Sequence, residues 1–161
     1  MFGELTAEET VCHLIITNQL SECIISIPSP FDEDKSIDMY VTLGKKTKNK
    51  VQIINGAPYI NTSINLNAKL LSLNKHTNNF EKKDITLIES YANSYVRDNI
   101  EKYLYKTSKN FKSDISMFGR YAVSNFSTWD KWSKYNWLDN YENAFFDVDV
   151  NVDIISSYLV S

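Results

Sequence analysis

Residues 60–70 alternate without a break. Ile60, Thr62, Ile64, Leu66, Ala68 and Leu70 fall on one face, and Asn61, Ser63, Asn65, Asn67 and Lys69 fall on the other. A period of two over this length is the pattern of a half-buried strand. A one-residue slip in its pairing would put the whole apolar set in water, so the register is firmly specified. The rest of the chain must therefore cover one face of a sheet and leave the other wet.

The flanking sequence supplies the neighbouring strands. Asn55-Gly56 tolerates positive φ at both positions and marks a two-residue hairpin turn. Before it, Ile37, Met39, Val41 and Leu43 alternate with Asp38, Tyr40 and Thr42, and Val51, Ile53 and Ile54 resume the strand after a basic stretch. Residues 44–50 are expected to bend or interrupt it. Ile24-Ile25-Ser26-Ile27 is a β-branched run stopped by Pro28 and Pro30. A last strand alternates Phe146, Val148, Val150, Val152 and Ile154 with Asp147, Asp149, Asn151 and Asp153.

The cover is predicted to be a long helix over residues 85–111, with Ile88, Ala92, Tyr95, Val96, Ile100, Tyr103, Leu104, Thr107 and Phe111 at helical spacing. At about 40 Å it matches the length of the return strand. Thr6 and Glu9 have the form of a capping box that starts a shorter helix carrying Val11, Leu14 and Ile15. Ser113 or Asp114 is expected to cap a further helix that turns Ile115, Phe118, Ala122 and Phe126 inward, with Gly119 allowing close approach of a neighbouring backbone. Residues 74–84 read as a polar connection. Strands, then helices, then a strand describe an α+β fold: a largely antiparallel β-sheet with a long helix and shorter helices packed on one face, as a single domain over 1–161.

Chemistry-bearing motifs are sparse. The formal charge is −3 and only Arg97 and Arg120 are arginines, which argues against nucleic acid as a partner. Cys12, His13 and Cys23 lack the spacing of a zinc site, and His76 lies in a remote loop, so no metal is expected and both cysteines read as ordinary buried thiols. Asp147, Asp149 and Asp153 lack the glycine and terminal glutamate of a calcium loop and read as a solvated face that discourages edge-to-edge pairing. There is no nucleophile elbow and, with four glycines, no phosphate-cradling loop. No catalytic residue and no cofactor are assigned. The asparagine richness reads as coding bias.

Two features carry both a functional and an ordinary reading. Lys45, Lys46 and Lys48 would suit anionic lipid headgroups, or simply solvate a strand end. Trp129, Trp132 and Trp137 would bind a sugar or a partner, or pin helices to the sheet. The second reading is favoured for most of the aromatic residues.

The order of motifs is distinctive. A capping box leads to Ile27-Pro28-Ser29-Pro30, then come the long hairpin and the long helix, then Lys112-Ser113-Asp114-Ile115-Ser116-Met117-Phe118-Gly119, then the tryptophans, and last the alternating strand from Val148. This succession resembles the C-terminal domain of the Ger(x)C family, the C subunits of spore germinant receptors, over nearly the whole chain. Asp114, Ile115, Phe118 and Gly119 match its most specific segment. Family members commonly have a glycine where this chain has Met117, and a different turn at Ser157-Tyr158. The resemblance implies a non-enzymatic domain that contributes to nutrient-triggered germination through protein contacts. Its expected partners are the membrane-embedded A and B receptor subunits. It further implies a longer lipoprotein on the outer face of the spore inner membrane, of which this chain would be a soluble fragment. The alternative is a small-ligand or glycan-binding module using the Trp-rich region.

Overall fold

The computed structural model describes residues 3–71 and 80–156; His76, most of the polar connection, and Ser157 and Tyr158 lie outside them. Four strands, β1 (Cys23–Pro28), β2 (Ser36–Ile54), β3 (Ala57–Leu70) and β4 (Phe145–Ser156), form one sheet in the order β1-β2-β3-β4. The first two pairings are antiparallel and β3 with β4 is parallel. A parallel neighbour requires a long crossover. Here the crossover contains α2 (Lys82–Tyr105), α3 (Gly119–Ala122), α4 (Trp129–Tyr135) and α5 (Trp137–Tyr141), while α1 (Ala7–Ile16) precedes the sheet.

The hairpin turn follows from its residues: Asn55 and Gly56 sit at φ 51° and 82°, both in the left-handed region. On β3 every residue of the apolar set from Ile60 to Leu70 is buried, as is the matching set Phe146, Val148, Val150 and Val152 on β4. Ile88, Ala92, Val96, Ile100, Tyr103 and Leu104 of α2 are buried against this face. Each such aliphatic side chain contributes about 1.5–3 kcal/mol through removal from water. α2 also touches both edge strands, β4 and β1, so the sheet curls around it.

Basic residues 44–50 bend β2 without interrupting it. The path from Leu43 to Asn49 uses two more residues than its partner from Leu66 to Thr62, giving register shifts on either side of Lys45. The irregularity leaves Lys45 and Lys46 exposed and turns Thr47 into the protein. There the Thr47 hydroxyl donates to Ile15 O at 2.8 Å, and the Asn18 amide pairs with both the N–H and the C=O of Thr47 at 2.6 and 3.0 Å.

Two expectations about helix ends are corrected. The long helix starts at Lys82, with the Asp84 carboxylate accepting the Glu81 N–H, and its last turn, Lys106–Phe111, widens into a π-helix. Lys112 at φ 50° ends it. No helix begins at Ser113 or Asp114. The chain makes a turn instead, with Met117 at φ 61°, and only the single turn of α3 is helical. Capping is nonetheless what Asp114 does, one turn later than its position suggests.

Candidate functional site

The sequence-distinctive residues converge on Asp114. Its carboxylate accepts the Phe118 N–H at 2.8 Å and the Gly119 N–H at 2.7 Å, which are donors left free at the start of α3. It also accepts the indole N–H of Trp137 at 2.8 Å. Hydrogen bonds to a charged acceptor are the strong kind, so this one side chain ties the 113–119 turn to α5. Gly119 is favoured by closeness: a Cβ there would stand 3.0 Å from Trp137 Nε1 and 3.4 Å from Asp114 Oδ2, tight enough that the ring would have to shift. The close neighbour is a tryptophan ring and a carboxylate, where the sequence suggested backbone.

From Trp137 a run of rings crosses the molecule. Trp132 lies 5.9 Å from Trp137 on one side and Tyr141 lies 5.6 Å away on the other; Tyr141 meets Phe146 edge-on at 6.0 Å. Phe118, fully buried, packs 6.3 Å from Phe146, and Phe126 sits against Trp132 and Tyr135. Trp137 is buried, Trp132 and Ile115 are half-buried, and Trp129 is 73 % exposed. Ile115, Phe118 and Gly119 thus belong with Asp114 and Trp137 in one cluster. Trp129 and the lysines stand apart from it, and Lys45, Lys46 and Lys48 are exposed on the sheet.

Sequence reasoning missed a second polar chain. Tyr103, fully buried on α2, lies 2.9 Å from His13 Nδ1 and 2.9 Å from Ser116 Oγ. Burial holds the His13 imidazole below its ordinary pKa. Burial likewise pushes the Tyr103 phenol up to about 12. Close by, Tyr141 pairs with the buried Thr107 hydroxyl at 3.1 Å across the π-helical turn. The partners are 90 and 34 residues apart, so no local pattern announces them.

A groove of about 260 Å³ between α1, β1 and α2 has Cys12 on its wall beside Val11, Ile24 and Tyr95. Burial, aided by Glu9 and Glu8, pushes the Cys12 thiol up to about 12, so it is not a thiolate near neutrality. Cys23 is also raised by burial, and both cysteines are free. Among the described residues no group of three or more His, Cys, Asp or Glu could hold a metal ion, and no helix is long and apolar enough to cross a membrane.

The comparisons agree with this architecture. The model of a family described as spore germination B3/GerAC like, C-terminal, matches residues 1–158. None of the curated proteins matches the sequence. Among solved structures, the crystal structure of the GerBC protein has the same fold, with a TM-score of 0.73 at 21 % identity. The match covers 96 % of this chain and 47 % of the other, so this chain spans about half the length of that protein.

Proposed function

The chain belongs to the spore germination B3/GerAC-like, C-terminal family, and from that premise we propose that it is the C-terminal domain of a germinant-receptor C subunit. In this reading it acts in nutrient-triggered germination by contact, through its surfaces, with the receptor's membrane-embedded A and B subunits. The observation that carries the reading is the extent of the family match, residues 1–158.

The geometry supports a role played through surfaces. Asp114, the most distinctive acid in the sequence, already accepts three hydrogen bonds and holds the domain's shape. Tyr103 and Tyr141 are tied into buried hydroxyl pairs, and Cys12 is a protonated thiol. The family's description names germination and no reaction. Membrane attachment in this reading comes from a lipid carried elsewhere on a longer protein.

Deleting this domain from the parent protein in spores tests the reading. The expected result is loss of nutrient-triggered germination, together with loss of A and B subunits from pull-downs of the parent protein. Normal germination and undiminished pull-down after deletion would overturn it. Trp129, 73 % exposed, favours a second reading in which the aromatic region binds glycan. That reading requires cell-wall fragments to quench tryptophan fluorescence in the native chain and not in Trp129→Ala.

A further inference from the structure

The sheet face turned away from the helices is organised by charge. Read across the strands, the pairing places Lys50, Asn61 and Asp147 in one row, and Lys48, Ser63 and Asp149 in the next. Lys45, Asn65 and Asn151 follow, then Thr42, Asn67 and Asp153. Over these four rows β2 bears mostly lysines, β3 neutral amides and a hydroxyl, and β4 mostly aspartates; beyond them the face ends in exposed Asp38 on β2 and Lys69 on β3. The two charged stripes are two strand spacings, about 10 Å, apart. All of these lysines and aspartates are exposed, and none of them enters an ion pair within 4 Å among the described residues. One hydrogen bond, Asn61 to Asp147 at 2.7 Å, links the central stripe to the acidic one. Asp153 likewise accepts from Asn151 at 3.1 Å, so two of the β4 aspartates have a neutral partner and, among the described residues, none has a cationic one.

We propose that this face docks a second copy of the same chain, with the two sheets related by a two-fold axis running along β3. Rotation about that axis turns one sheet to face the other and exchanges left for right. The lysine stripe of each copy then lies opposite the aspartate stripe of the other. A two-fold across the strands would oppose like charges, which disfavours it. The central stripe suits the same axis. Asn61, Asn65 and Asn67 each carry both donors and acceptors, so they can pair with their own images. An interface between identical copies needs such self-complementarity, because the same patch must serve as both partners.

The chemistry also fixes the strength. Three strands over this length bury on the order of 1,000 Å² in total, the low end for a specific interface. Lysine and aspartate are poor residues for the dry centre of a stable interface. The association is therefore weak, reversible and salt-sensitive. It does not depend on the receptor reading above.

Sedimentation velocity on the 161-residue chain over a concentration series, in low salt and in about 0.5 M salt, provides the test. The expected result is a concentration-dependent dimer at low salt that weakens at least about tenfold at high salt. Two charge reversals decide the geometry. Lys45→Glu/Lys48→Glu/Lys50→Glu and Asp147→Lys/Asp149→Lys/Asp153→Lys should each be monomeric alone, and a one-to-one mixture should restore the dimer. Circular dichroism checks that both fold. If either does not, the single reversals Lys48→Glu and Asp149→Lys, one from each stripe of the same row, take their place with a smaller effect in the same direction. A monomer at every concentration in low salt would overturn the proposal, as would a dimer indifferent to salt and reversal, or a mixture that fails to restore it. Retention of the chain on anionic vesicles, lost with the lysine reversal while self-association is absent, would also overturn it and assign the lysines to lipid.

Discussion

The sheet with α2 and the segment 112–141 are held by different physics. In the first, specification is distributed. The apolar faces of β3 and β4 are buried along their length and matched by a helical stripe of buried residues, so no one side chain decides the outcome. In the second, regular structure is scarce and specification is concentrated. A single carboxylate joins the turn at Phe118 and Gly119 to Trp137, and a line of rings carries that join to Phe146. A distributed design tolerates local change and fails only when its register is violated. A concentrated one fails wherever its hub is touched.

Violating the register should have the largest effect. Ile64, 1 % exposed at the centre of β3, becomes an unpaired buried charge in Ile64→Asp, and the expected outcome is no cooperative thermal unfolding and no soluble monomer. A folded variant would show that the sheet is less strictly specified than its alternation implies. Next comes the hub. Asp114→Ala strands two backbone donors and an indole N–H, and is expected to cost about 2–4 kcal/mol in denaturant unfolding. A change near zero would mean the ring stack holds the segment without it.

Smaller effects separate the regions further. His13 is neutral in the fold with its pKa lowered by burial, while the unfolded chain takes up the proton near pH 6.5. The folded state binds fewer protons as pH falls, so stability is fully present above about 6.5 and declines as pH drops towards the lowered folded pKa. His13→Gln should flatten that decline in a pH series of melting temperatures. Smallest is Met117→Gly. Met117 is at φ 61°, where a side chain costs about 1 kcal/mol and glycine does not, so the variant should gain up to about that amount. Loss of stability would mean that the half-exposed Met117 side chain makes a contact worth more than the strain.

This division also governs what the sequence discloses. Alternation on β3 and β4 and the helical stripe on α2 are local periodicities, and each can be read before any tertiary contact is known. The capping box at Thr6 and Glu9 is equally local and is present in both directions, at 2.8 and 3.2 Å. Asp114 was recognisable as a capping residue, but its true clients lie four and five residues on, because the intervening chain turns through Met117 instead of starting a helix. The resemblance to a family with glycine at that position was the one signal of the left-handed turn.

The asparagines are the residues whose places the sequence discloses least. Asn18, Asn55 and Asn136 occupy left-handed positions, which asparagine tolerates better than other residues with side chains. Asn18 and Asn125 cover the part of β2 that β1 does not reach, bonding Thr47 and Val51 O, while Asn93 accepts the Val152 N–H on the outer edge of β4 at 2.7 Å. Glu89 does the same for Ile154 at 2.9 Å. Side-chain amides and a carboxylate thus occupy backbone groups on the β4 edge and on the stretch of β2 beyond β1, which hinders pairing there. Composition shows only that asparagine is abundant; the work of each one depends on which strand edge the fold brings beside it.

Native-state hydrogen exchange on the native chain and on Asp114→Ala tests the contrast most directly. The substitution is expected to strip protection from amides between Ser113 and Tyr141, Phe118 and Gly119 first, while the central amides of β2 and β3 keep theirs. Equal loss of protection across the sheet and the 112–141 segment would contradict this expectation, and would mean that the two regions stand or fall as one unit.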